Sequence, residues 1–227
     1  MGTTASKMLP SLVCRKLPAY AADKLDAVRT AFRAADSCAT RQAWLPKPES
    51  DFRPATVRTG WRENSLCVFA ELEDVDIFTH ATAHNQRMWE SGDVFEIFLQ
   101  PAGSPSYVEL HVTPNNLRLQ LSFPDTVTLR RAQAENVFDR LILPDGAFRS
   151  HTWLDPENGE WYVHAEIPPA LVCGDDHLPA GGKWRFSFSR YDYSHGRHEP
   201  VISSTSPHTR PDFHRREEWG TLFFDGK

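Results

Sequence analysis

Five separated stretches of this chain alternate between two sets of side chains with a period of two, and this repetition constrains the fold more than any other feature. In 65–72, Leu66, Val68, Ala70 and Leu72 alternate with Cys67, Phe69 and Glu71. In 107–112, Val108, Leu110 and Val112 alternate with Tyr107, Glu109 and His111. In 117–123, Leu117, Leu119, Leu121 and Phe123 stand against Arg118, Gln120 and Ser122. In 161–167, Trp161, Val163, Ala165 and Ile167 stand against Tyr162, His164 and Glu166, and in 184–189 Trp184, Phe186 and Phe188 alternate with Arg185, Ser187 and Ser189. Successive side chains of a strand point to opposite faces, so each stretch predicts a half-buried antiparallel strand. Many such strands with short loops between them predict a β-sandwich or barrel.

Turn chemistry agrees. Pro114-Asn115-Asn116 separates two of the stretches, as a tight hairpin requires. A five-residue loop, Asp155–Gly159, joins 151–154 to 160–167 and would set Trp153 opposite Trp161. A further strand, 93–100, is apolar on both faces except at Glu96, which predicts a central position. Seventeen prolines against twelve glycines argue against long helices, and Leu45–Ser50, with Pro46 and Pro48, reads as loop. The best helix candidate is 21–36, where Leu25, Val28, Phe32 and Ala35 share one face. A last strand is expected over Trp219–Phe224. With 227 residues, 40% hydrophobic and 11% aromatic, the chain can bury a real core, and disorder is excluded. The expected organisation is a lead-in and helix over 1–39, loose to about residue 12, followed by one β domain over 40–227.

A net charge of −5 argues against broad binding to nucleic acid or to an anionic membrane. There is no apolar run of membrane-spanning length, and Pro10 and Arg15 spoil residues 1–16 as a signal peptide, so the expected location is the cytoplasm. Cys14, Cys38, Cys67 and Cys173 are widely spaced, which favours reduced thiols, although two disulfides in any of three pairings fit the count. The sequence holds no GxSxG, phosphate-binding loop or dinucleotide fingerprint, and no internal repeat.

Candidate functional residues stand out against this background. Glu96 places a carboxylate beside Val94 and Phe98, where it needs an arginine on a neighbouring strand or a ligand to accept hydrogen bonds from. Trp89 sits in a loop leading into that strand, either capping the core or offering its ring to the apolar face of a sugar. Glu109, His111, Arg118, Gln120, Tyr162, His164, Glu166 and Arg185 form polar strand faces, expected to be mostly solvated with a few lining a groove. His195, His198, His208 and His214 cluster late but lack zinc-site spacing, and read as solvated loop residues.

An ordered set of segments resembles carbohydrate-binding module family 9, within the wider DOMON-like group. The segments are Trp61–Val68, Glu73–Ile77, Trp89–Leu99, Tyr107–Asn115, Trp184–Tyr191, and Phe213-His214 ahead of Trp219–Leu222; together they span roughly 40 to 225. The resemblance implies an all-β antiparallel sandwich, immunoglobulin-like or jelly-roll, here with a short N-terminal helix, and no catalytic activity. It implies a small sugar or glycan end held between two aromatic side chains, Trp89 and Phe213, with Glu96 as the acid. His111 stands where the family has an arginine, and Phe213 is not the expected Trp; both departures bear on which sugar fits. Arg190 and His214 complete the expected ligand-binding set. The implied partner is carbohydrate, with no cofactor beyond a possible structural calcium, for which no dense acidic loop is present. The rival readings are a haem-binding electron-transfer domain using Met88 and a late histidine, a glycoside-processing enzyme using Glu96 or Glu109, and a purely structural or interaction role.

Overall fold

The structure, a computed structural model, describes residues 8–225. Residues 1–7 of the expected lead-in lie outside that range. Twelve strands are present: β1 (Ser11–Lys16), β2 (Ser37–Ala39), β3 (Ala55–Arg62), β4 (Ser65–Glu73), β5 (Val94–Pro101), β6 (Tyr107–Val112), β7 (Arg118–Phe123), β8 (Arg149–Asp155), β9 (Glu160–Ile167), β10 (Lys183–Asp192), β11 (Val201–Ser204) and β12 (Gly220–Phe224). Among the described residues three α-helices accompany them: α1 (Leu25–Phe32), α2 (Thr126–Glu135) and α3 (Pro169–Cys173). The protein is therefore mostly β, as the alternations require.

The strands run in one curled sheet in the order β7-β6-β5-β10-β12-β1-β3-β4-β9-β8, with β11 on β10 and β2 on β3. All pairings are antiparallel except those of β1, which runs parallel to β12 through Ser11–Cys14 and parallel to β3 through Arg15–Lys16. A purely antiparallel sheet is thus not what forms. Residues 11–39, read from the sequence as lead-in and helix, supply β1, α1 and β2 to this same sheet.

The main core gathers one face of each half of the sheet. Leu66, Val68, Ala70 and Leu72 of β4 meet Phe95, Ile97 and Leu99 of β5, with Trp161 and Val163 of β9 and Phe186 and Phe188 of β10. Removing a Leu, Ile or Phe side chain from water is worth roughly 1.5–3 kcal/mol, and Phe95, Ile97 and Leu99 are fully buried.

The outer faces are not the solvated surfaces that alternation suggests. Glu109, His111, Gln120, Tyr162, His164 and Glu166 are all buried. Helix α1 explains half of this: Val28 and Phe32 pack over Cys67, Phe69 and Tyr162 in a second cluster. The helix is shorter than the periodicity predicts. Asp36 accepts hydrogen bonds from the Val13 N–H (2.9 Å) and from Arg15 (2.6 Å), which turns the chain toward β1 before 33–36 can continue the helix.

A third cluster covers the outer face of β5, β6 and β7, where Met88, Val94, Phe98, Tyr107, Phe213 and Trp219 pack together. Helix α2 contributes Leu129 and also buries Ala132. It has no counterpart in the sequence reading, because only those two positions are buried. Its ends are nevertheless well defined: the Asp125 side chain accepts from the Thr128 N–H at 2.7 Å, and Asn136 closes it at φ 55°.

The hairpin at Pro114–Asn116 forms as expected, with Asn116 at φ 61°. The Trp153–Trp161 pair does not. Asp155 pairs with Glu160, so Leu154 faces Trp161 and Trp153 faces Tyr162. The loop is one residue shorter than expected, and a one-residue slip exchanges the faces. The four cysteines are unpaired.

Candidate functional site

Strand β5 carries the central acid. Phe95, Ile97 and Leu99 enter the main core, so Glu96 must project from the outer face with Val94 and Phe98. Cross-strand register sets Glu96 beside His111 of β6 and Ser189 of β10. Two residues before His111, and therefore on the same face, lies Glu109. No arginine pairs with Glu96. Instead His111 Nε2 donates to Glu109 Oε1 at 2.7 Å and stands 3.3 Å from Glu96 Oε1.

This trio is nearly sealed from water, with Glu96 2%, Glu109 5% and His111 0% exposed. Burial pushes the Glu96 carboxyl up to about 8; His111 opposes the rise and Glu109 adds to it. Burial acts the same way on Glu109, but His214 and His111 outweigh it and hold its carboxyl below the usual range. For His111, burial disfavours the charged ring, and the two carboxylates override that and raise it. Glu96 Oε2, Glu109 Oε2 and His111 Nδ1 have no hydrogen-bond partner.

A cavity of about 320 Å³ opens above the two glutamates. Its walls are aromatic. Trp89 packs edge-on against Phe138 with ring centres 5.8 Å apart, and Phe213 packs edge-on against Tyr191 at the same distance. His214, Asp212 and Gln133 also line it. His214 Nδ1 hydrogen-bonds the Tyr107 hydroxyl at 2.8 Å, and its Nε2 lies 3.7 Å from Glu109 Oε2.

The approach to β5 fixes Trp89. A single 3-10 turn, Met88–Glu90, ends at Gly92, whose φ of +129° is open only to glycine. A Cβ there would fall 2.7 Å from the Phe78 carbonyl oxygen. Asp93 follows, and its carboxylate accepts from the Phe78 N–H (2.7 Å) and the Tyr193 N–H (2.8 Å). The Tyr193 hydroxyl in turn donates to the Trp89 carbonyl at 2.6 Å. Phe213 is held from the other side: the Trp219 indole N–H donates to its carbonyl at 2.8 Å. That loop is tied by Glu218, which binds His208, Thr209 and Arg215. Burial opposes its charge, but those hydrogen bonds prevail and hold Glu218 down to about 2.

Of the six residues expected to form the site, Trp89, Glu96, Phe213 and His214 line one cavity, and His111 lies beneath them with its ring edge-on to Trp89 at 5.6 Å. Arg190 does not belong there. It shares the inner face with Phe188, opposite in parity to Ser189 and Glu96, and is 0% exposed. Its guanidinium binds the Glu73 carbonyl (2.6 Å), Asp74 (3.0 Å) and Asp192 (3.2 Å). Asp74, Asp93 and Asp192 converge around it. Arg190 supplies the positive charge that a calcium ion would bring, and both Asp93 oxygens are used by backbone N–H groups, so this donor set does not fit calcium.

From the sequence, Glu109 is expected only on a polar strand face or as an acid of the enzyme alternative and stands outside the ligand-binding set, although its parity with His111 places it on the same face. Phe138 and Gln133 follow from α2 and the turn after it, which the apolar pattern does not announce. The late histidines do not converge. His195 pairs with Asp76 and His198 with Glu199, both exposed, while His208 is buried against Glu218. Met88 is fully buried within the third cluster, which removes it as a haem ligand facing a cavity.

No protein-family model matches the chain, and no curated protein matches it. Solved structures do. A Bacteroides uniformis protein, described provisionally as carbohydrate-binding, superposes with a TM-score of 0.70 at 20% identity, over 95% of this chain and 99% of that one. A carbohydrate-binding module of family 9 from Caldicellulosiruptor kristjanssonii matches in its complex with glucose at TM-score 0.64 and 15% identity, over 96% of this chain and 97% of that one. A family 9 module from the same organism in complex with cellotriose gives 0.62 and 15%, over 96% and 95%. Across nearly its whole length, this chain is similar in fold to carbohydrate-binding modules of family 9.

Proposed function

We propose that this protein is a non-catalytic carbohydrate-binding domain that holds a small sugar, or the end of a glycan, in the Trp89–Phe213 cavity. In this reading the curled sheet is a β-sandwich of the jelly-roll kind, with the cavity on the outer face of one leaf. The observation that carries the proposal is the combination of two aromatic pairs with two buried carboxylates in one cavity of about 320 Å³. Aromatic rings suit the C–H faces of a pyranose, and carboxylate oxygens accept from its hydroxyls. The fold-level likeness to modules solved with glucose and with cellotriose supports the same reading. The arrangement does not favour glycoside hydrolysis, because the paired acids of such enzymes flank the scissile bond. Here Glu96 and Glu109 lie side by side on one face and share His111.

Calorimetry with mono- and disaccharides tests the proposal. Binding is expected to be weak, because each sugar hydroxyl exchanges a bond to water for a bond to protein. Trp89→Ala should abolish measurable binding. If the intact protein binds no sugar, or if Trp89→Ala binds as the unaltered protein does, the proposal fails.

A further inference from the structure

The charge of the cavity is one-sided. Its lining carries three carboxylates, Glu96, Glu109 and Asp212, and no lysine or arginine. Asp212, at the rim, pairs with Arg210 at 3.0 Å. Glu96 and Glu109 have no cationic side chain of that kind. A single imidazole nitrogen, His111 Nε2, serves the Oε1 atoms of both. Each glutamate keeps an Oε2 atom that is buried and without a hydrogen bond. His214 Nε2, at 3.7 Å from Glu109 Oε2, is beyond hydrogen-bond reach. A buried carboxylate is costly until it is paired, so burial keeps the proton on Glu96, and the floor of the cavity has room for one positive charge in that proton's place. The walls suit a cation as well, since Trp89, Phe138, Tyr191 and Phe213 present four rings to the same space.

We propose that the cavity selects sugars bearing a free protonated amine, a hexosamine rather than a neutral hexose, with the ammonium group against the Oε2 atoms of Glu96 and Glu109. The proposal rests on the sugar-binding reading above and narrows it. A sugar hydroxyl donates one hydrogen to a carboxylate and leaves its charge in place. An ammonium donates up to three and cancels the charge. The elevated Glu96 carboxyl is consistent with this: an arriving cation displaces its proton, which passes to the buffer. A divalent metal ion is the competing occupant, since ligand atoms of Glu96, Glu109 and His111 lie within 4.8 Å of one another. Two observations disfavour it. A metal-bound histidine ordinarily donates its second ring N–H to a supporting group, and His111 Nδ1 has no partner. The aromatic walls also offer a metal ion no ligands.

The test is calorimetric titration of the full chain, stripped of metal with EDTA, at pH 7 in two buffers of different ionisation enthalpy. The ligands are glucosamine, glucose, which matches it in outline without its charge, and N-acetylglucosamine, whose nitrogen is acylated and uncharged. A charge-assisted bond in place of a neutral one predicts that glucosamine binds about tenfold tighter than either of the others. Proton release should accompany glucosamine alone, and Glu96→Gln and Glu109→Gln should each reduce the preference. Equal or tighter binding of glucose overturns the amine preference while sugar binding stands. Failure of all three sugars to bind overturns both readings. A preference that appears only when calcium, manganese or zinc is restored assigns the floor to a metal ion and also overturns the proposal.

Discussion

Glu96 and His111 face each other across β5 and β6, with Glu96 Oε1 3.3 Å from His111 Nε2, and both side chains are almost wholly buried. This pairing makes the imidazole the counter-charge for two acids at once, since the same nitrogen bonds Glu109. His111→Ala should therefore leave both carboxylates without their neighbour and cost roughly 3 kcal/mol at pH 7. Adding Glu109→Gln should restore part of the loss by removing the stranded charge, because Glu109 is the acid held ionised. Urea unfolding of the single and double variants measures both effects.

The two aromatic residues expected to flank a ligand should respond differently to truncation. Trp89 is half-buried beside Phe138, whereas Phe213 is 5% exposed and contacts Trp44, Phe98 and Tyr191. Phe213→Ala should cost roughly 3–5 kcal/mol, as core Phe truncations do. Trp89→Ala should cost clearly less. Thermal melts of the two variants, compared at equal concentration, would show the order reversed if Phe213 were only a wall of the cavity.

Arg190 should behave as a residue of the interior. Removing it strands Asp74 and Asp192, so Arg190→Gln is expected to lose about 3–5 kcal/mol of stability. Sugar affinity, measured at a temperature where the variant is folded, should remain within about twofold of the unaltered protein, because roughly twofold is under 0.5 kcal/mol. A large loss of affinity in folded protein would return Arg190 to the site.

His164 predicts the pH dependence of stability. Burial foremost, with His151 and Arg62 nearby, lowers it from 6.5 to about 3. The unfolded chain thus takes up this proton first as the solution is acidified. The contribution is present in full above about pH 6.5 and is lost as pH falls from there toward 3. The expected slope is about 1.4 kcal/mol per pH unit for one proton. Glu96, held up to about 8, carries the opposite slope over much of this range, so the check is a difference: in denaturant unfolding between pH 7.5 and 4, His164→Gln should lose less stability on acidification than the unaltered protein, and an identical pH dependence would exclude His164 as a contributor.

Gly92 links backbone geometry to the cavity. Gly92→Ala forces a side chain into φ +129° and against the Phe78 carbonyl, at a cost of roughly 1–3 kcal/mol. Because the same turn carries Trp89, sugar affinity should fall with stability. Circular dichroism melts and calorimetry on the one variant check both losses together.

Period-two alternation by itself determined where β4, β6, β7, β9 and β10 lie, and the parity of β5 put Glu96 on the face opposite Phe95 and Ile97. Those properties are local, because they depend only on which way successive side chains point. Parity also carried the information that Glu109 joins His111, and that Arg190 cannot join Glu96 once β5 and β10 are paired. What only the tertiary structure decided is which strands become neighbours and what covers each outer face. The parallel pairing of β1 with β12 and β3 joins segments far apart in the chain. The burial of His164 under α1, and of Glu96, Glu109 and His111 under the Trp89 and Phe213 loops, depends on elements whose own sequences do not announce their docking place. A polar side chain on a strand reads as solvated until a second layer is placed over it. That layer turns an ordinary polar face into a charged, aromatic-walled cavity.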